Sequence, residues 1–217
     1  MTSSKIGVMI AIRCHNERHG WWHPDLGMWL INLTHETRYR VTMRSVMGAP
    51  NAAASANLAA KEFLEADGFE WLCIVDNDVA PPTNLLRVLD DTSDSMDAIG
   101  PVSHMFQHGV ISVQQGWGGH SPDVAFESLD ASVLGQFEVD QLGGGCWFIR
   151  RRAFDLMEPP YFVELFHPET HMLMVSDDVY FQQKARELGC RLVCDTRFTI
   201  RHYHTVDLSM MACVENF

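Results

Sequence analysis

The five residues Trp71-Leu72-Cys73-Ile74-Val75 are all apolar, and they stop abruptly at Asp76-Asn77-Asp78. An uninterrupted apolar run of this length fits a strand covered on both faces, the situation of a strand inside a parallel sheet. Charged residues at its carboxyl end fall where open α/β sheets bind ligands. The rest of the chain agrees with this. Ile6 to Ile12 is a second apolar run, ending in the polar turn Arg13-Cys14-His15-Asn16-Glu17, and Tyr39 to Met43 is a third strand candidate. An alanine-rich stretch from Pro50 to Ala66 has high helix propensity and is closed by Gly68. Pro81-Pro82 opens a candidate helix through Leu89, because proline is tolerated in a first turn. Gly100 to Asp123 reads as short strands and loops. Cys146 to Ile149 reads as a buried strand leading into a helix from Arg151 to Met157. Ser176 and Asp177 can cap a helix that places Phe181, Ala185 and Leu188 on one face and ends at Gly189, and Arg191 to Cys194 is a last strand. Alternating strands and helices over 217 residues predict one α/β domain with a mainly parallel sheet and helices on both faces.

Charge narrows the function. A formal net charge of −12, with no basic run among the 16 Lys and Arg residues, disfavours a nucleic-acid partner. An acidic protein still binds a diphosphate when a divalent cation lies between them, so the carboxylates become the place to look. No apolar stretch is long enough for a transmembrane segment, and the first residues have no signal-peptide pattern, so the expected location is cytoplasmic. The six cysteines are widely spaced, without a Cys-X-X-Cys pair, and read as reduced, mostly buried thiols.

Four groups of residues carry chemistry. Asp76 and Asp78 stand at i and i+2; in extended chain they share a side, with Cα atoms about 6 to 7 Å apart, and can share a metal. The plain alternative is a solvated loop or a cap. Asp177 and Asp178 stand at the head of a helix, where capping and the helix dipole favour acids, although a carboxylate beside a bound donor could also serve as general base. His202 and His204 alternate in Thr199 to His204 and would share a face of an extended chain, and imidazole suits manganese better than magnesium. Gly143-Gly144-Gly145 allows a ligand close to the backbone, or simply a tight turn.

In this order these pieces resemble the inverting family 2 glycosyltransferases and their relatives, from Ile6 to about His204. The strand with Asp76-Asn77-Asp78 is similar to that family's Asp-X-Asp signature. Arg13 to Glu17 resembles its Pro-Thr-Tyr-Asn-Glu turn, with Arg13 in place of proline and His15 in place of the base-stacking tyrosine. Asp140 to Arg151 resembles its acceptor-side segment, Ser176-Asp177-Asp178 its Glu-Asp motif, and Asp195 followed by His202 its C-terminal metal histidine. Asn51 stands near the Ala-Arg-Asn donor contact, without the arginine. The resemblance implies a single GT-A (Rossmann-like) domain over 1–217, with a nucleotide-binding half, 1–100, and an acceptor-side half, 101–217. It implies a nucleoside-diphosphate sugar donor, UDP-linked by preference, held by Arg13, His15, Glu17, Asn51, Asp76, Asn77, Asp78, Gly144 and Gly145. Mn2+ or Mg2+ would sit on Asp76, Asp78, His202 and His204, and Asp178, with Asp177 beside it, would activate a hydroxyl acceptor with inversion. A retaining transferase, a sugar-phosphate nucleotidyltransferase and an inactive nucleotide-binding protein are the alternatives.

Overall fold

The computed structural model describes residues 5–14, 23–47, 49–107, 110–114 and 134–203, with backbone alone for 103–107 and 110–114. In chain order the elements are β1 (Gly7–Arg13), α1 (Pro24–Leu33), β2 (Arg40–Val46), α2 (Ala52–Glu65), β3 (Trp71–Asp76), β4 (Val79–Ala80), a 3-10 turn (Leu85–Leu89), β5 (Ala98–Gln107), β6 (Val110–Gln114), β7 (Gln136–Glu138), β8 (Cys146–Arg150), α3 (Arg151–Asp155), β9 (Leu165–Phe166), β10 (Leu173–Val175), α4 (Asp177–Glu187) and β11 (Leu192–His202).

The main sheet runs β2-β1-β3-β8-β5-β11-β4, with β6 on β5 and β7 on β11. β1 is parallel to both β2 and β3, and β5 is parallel to β11. β8 lies between β3 and β5 and runs antiparallel to both, so the sheet is mixed, with a parallel portion on either side of one reversed strand. β9 and β10 form a small separate hairpin.

Strand periodicity builds two cores. Val8, Ile10 and Ile12 of β1 and Trp71, Cys73 and Val75 of β3 face α1 and the 3-10 turn, through Leu26, Trp29, Leu30, Leu33, Leu85 and Leu89. The alternate residues Met9, Ala11, Leu72 and Ile74 face α2, α3 and α4, through Ala56, Ala60, Phe63, Phe154 and Phe181. Every residue of β1 and of β3 is buried, as an all-apolar central strand requires. Each large side chain taken from water in this way contributes about 1.5–3 kcal/mol. Of the cysteines, Cys14, Cys73, Cys146, Cys190 and Cys194 are free and buried, and burial beside Cys146 pushes the Cys73 thiol well up.

Three expectations shift. The stretch after Pro81-Pro82 forms only a five-residue 3-10 turn, because the Leu85 N–H bonds to the Pro82 carbonyl three residues back and the turn closes on Asp90. The helix from Arg151 ends at Asp155, two residues short of Met157. The last strand, expected to stop at Cys194, continues through a register shift to His202, because its second half pairs with β5 and then β4. Among the described residues, no helix is long and apolar enough to cross a membrane.

Candidate functional site

Parallel pairing brings Arg13 and Asp76 side by side as the last residues of β1 and β3. The chain then turns instead of continuing extended. The Asn77 N–H bonds to the Arg13 carbonyl (3.0 Å), the Asp76 N–H to the Gly145 carbonyl (2.9 Å), and the Asn77 and Asp78 carbonyls accept from the His23 and Tyr203 N–H groups (3.1 and 2.8 Å). The turn takes Asp76 and Asp78 out of the extended i, i+2 arrangement.

Asp76 turns toward Arg13, whose Nε donates to Asp76 Oδ1 at 2.8 Å. Asp78 turns toward β11, with its Oδ2 3.3 Å from His202 Nε2. Asp78 Oδ1 is buried without a hydrogen-bond partner among the described residues. An unpartnered buried carboxylate oxygen is costly unless a cation or donor group meets it.

Arg13 joins the two acidic pairs. Its Nη1 donates to Asp177 Oδ2 at 2.7 Å and its Nη2 to the Gly144 carbonyl at 3.3 Å. The residue is only 3 % exposed. Burial works against its charge, but Asp76, Asp177 and Asp178 outweigh that and hold the guanidinium pKa above its ordinary value. Its guanidinium holds these carboxylates. The available signal was a basic residue closing an otherwise apolar strand, in a chain with two acidic pairs to satisfy.

Packing behind α4 sets where Asp177 and Asp178 stand. Phe181 stacks on Phe162 with centroids 4.8 Å apart and meets Trp147 edge-on at 5.4 Å. Gln182 Nε2 donates to the Leu142 carbonyl, and its Oε1 accepts the Leu142 N–H, which ties α4 to the segment carrying Gly143 to Gly145. Ser176 occupies the cap position without a side-chain capping bond, and its hydroxyl instead donates to Asp178 Oδ1 at 2.5 Å. Burial is the chief cause pushing the Asp178 carboxyl up from the ordinary range, and Asp177 adds to it; the Ser176 hydroxyl, Arg13 and the Val179 N–H pull the other way.

The glycines are where these groups meet. A Cβ on Gly144 would run into Asp178, lying 2.7 Å from its Cγ, so only glycine fits here. A Cβ on Gly145 would lie 3.1 Å from Val79 Cγ2 and 3.9 Å from both Asp76 Oδ2 and His202 Cε1. Asp76, Asp78, Asp178 and His202 thus come from three distant stretches of chain to one double glycine or its immediate neighbour.

Asn51 caps α2, its side chain accepting the Ala54 N–H at 2.8 Å. His15, Glu17 and His204 lie outside the described residues. Among the described residues, no three His, Cys, Asp and Glu side chains gather to hold a cation. Asp78 and His202 nevertheless suit one, as a carboxylate with an unpartnered buried oxygen beside an imidazole nitrogen.

No protein-family model matches the chain, and a comparison with characterised proteins finds no match by sequence. Solved structures do match. A197 from STIV aligns with a TM-score of 0.64 at 16 % identity, over 92 % of this chain and 87 % of that one. GalNAc-T7 with UDP, GalNAc and Mn2+ aligns with a TM-score of 0.58 at 13 % identity, over 94 % of this chain but only 44 % of its own. A Drosophila β1,4-galactosyltransferase 7 mutant with manganese, UDP-Gal and xylobiose aligns with a TM-score of 0.51 at 15 % identity, over 92 % and 72 %. S. aureus TarS with UDP-GlcNAc aligns with a TM-score of 0.52 at 12 % identity, over 94 % and 61 %. At such identities the likeness is one of fold.

Proposed function

We propose that this chain, whose fold is the GT-A fold of nucleotide-sugar glycosyltransferases, transfers a sugar from a nucleoside-diphosphate donor to a hydroxyl acceptor. The observation that carries the reading is the meeting at Gly144 and Gly145 of an acidic strand end, an imidazole from β11 and a half-buried carboxyl from α4. The UDP and UDP-sugar complexes of the structural neighbours support a UDP-linked donor, and the Mn2+ in two of them supports a divalent cation.

Asp78 and His202 would hold the cation, whose charge offsets that of the leaving diphosphate when bound. Two protein ligands are enough where donor phosphate oxygens and water complete the shell. Arg13 holds the Asp76 carboxylate at the end of β3, beside the Gly145 backbone that the donor approaches.

Asp178 acts on the acceptor. Ser176 fixes Oδ1, and Oδ2 lies on the Gly144 side. As the acceptor oxygen attacks the anomeric carbon and the bond to the diphosphate breaks, Asp178 takes the hydroxyl proton. Attack from the side opposite the leaving group inverts the anomeric centre. Asp177 contributes by anchoring Arg13 and by raising the basicity of its neighbour.

Calorimetry of UDP with and without Mn2+ tests the donor site. The expected result is cation-dependent UDP binding that is lost in Asp78→Ala while the melting temperature holds. Equal UDP affinity without Mn2+, or in the variant, refutes the assignment of Asp78.

A further inference from the structure

A cluster at the start of α1 and the end of β11 takes no part in the proposed chemistry. The His23 and Tyr203 rings stack with centroids 3.5 Å apart and planes 8° from parallel. The Tyr203 hydroxyl donates to Asp25 Oδ2 at 2.6 Å, and Arg201 Nη2 meets the same oxygen at 2.9 Å. His23 Nδ1 in turn accepts the Asp25 N–H at 3.2 Å, as the side-chain cap of α1. The Tyr203 hydroxyl is the main cause holding the Asp25 carboxyl below its ordinary range.

The same two residues bind the acidic turn through their backbones, His23 to the Asn77 carbonyl and Tyr203 to the Asp78 carbonyl. Tyr203 also follows His202 directly, on a strand end held to β4 by pairs at Arg201 and His202. The stack therefore ties together the two segments that deliver the carboxylate and the imidazole. Among the described residues the end of β11 also meets the turn through its pairing with β4, the Tyr203 N–H bond to the Asp78 carbonyl and the His202–Asp78 contact.

We propose that His23 and Tyr203 are positioning residues, whose stacked rings hold Asp78 and His202 at the separation a shared divalent cation needs. Neither touches the cation. The proposal rests on the reading of Asp78 and His202 as cation ligands. Partners of this kind, one step removed from the ligands, typically change metal affinity 10- to 100-fold when removed.

Both rings are half-buried at the surface, so truncating them opens no core cavity. The test is the affinity of the full chain for Mn2+ alone, read from the electron paramagnetic resonance of free Mn2+, beside the melting temperature of each variant. Tyr203→Leu removes the stack and is expected to weaken Mn2+ binding about 10- to 100-fold in a folded protein. His23→Ala, which reaches the stack from the other side, is expected to do the same. Tyr203→Phe keeps the ring and is expected to stay within about threefold of the parent, a rescue that a general loss of stability does not produce. Unchanged Mn2+ affinity in folded Tyr203→Leu and His23→Ala, with Asp78→Ala losing it, overturns the positioning role alone. Unchanged affinity in Asp78→Ala overturns the cation assignment and the positioning role with it.

Discussion

Replacing Arg13 with leucine removes the buried cation that Asp76 and Asp177 share. The side chains of Arg13, Asp76 and Asp177 are 4 %, 11 % and 7 % exposed, so solvent screens this network little. Removing one partner from a buried ion pair costs about 3–5 kcal/mol, because the remaining charge keeps its desolvation penalty and loses its counter-charge. For a chain of this size 1 kcal/mol corresponds to about 2–4 °C, so the expected loss at neutral pH is about 6–20 °C in melting temperature. Thermal unfolding of parent and variant at pH 7 measures this. Adding Asp76→Asn and Asp177→Asn to Arg13→Leu removes the stranded charges and is expected to recover most of the stability. A shift below about 2 °C at pH 7 refutes the claim that Arg13 neutralises a buried acidic pair.

Asp178→Asn is expected to keep donor and cation affinity within a few-fold and to lower kcat by about 10² to 10⁴, read from transfer or donor hydrolysis on a preparation of unchanged melting temperature; wild-type turnover removes Asp178 from the mechanism. Because burial raises the Asp178 carboxyl, the acidic limb of kcat is expected above the ordinary carboxylate range, with activity falling as pH drops through it, and Ser176→Ala, which removes a bond to the charged form, moves that limb higher still. Gly144→Ala places a methyl group against Asp178 and is expected to depress turnover far more than Gly145→Ala, whose nearest contact is Val79 Cγ2 at 3.1 Å; equal effects in a kinetic comparison contradict the crowding argument. His202→Ala is expected to weaken Mn2+ more than Mg2+ in competition titrations, since it removes a nitrogen ligand and leaves the carboxylate oxygen.

Local pattern was enough to specify much of this protein. A five-residue apolar run ending in acids, from Trp71 to Asp78, marks a doubly covered strand, because burial on both faces is recorded in every residue of such a strand. The alanine-rich helix with Asn51 ahead of it is legible for a similar reason, since propensity and capping act within a few residues. The partners of each charge are another matter. Arg13 and Asp177 are 164 positions apart, and nothing near either one states that they meet. That meeting depends on β1 lying beside β3 and on α4 being pressed down by Phe162, Phe181 and Trp147. The same holds for the reversed strand β8 and the extension of β11 to His202, fixed by pairing across the sheet, and for the His23–Tyr203 stack, fixed by the cap of α1 meeting the end of β11. The sequence by itself determined which residues could be strand, helix or charged edge, because those preferences are local; only the tertiary structure decided which charge neutralises which, because that energy depends on distance and burial that no local stretch contains.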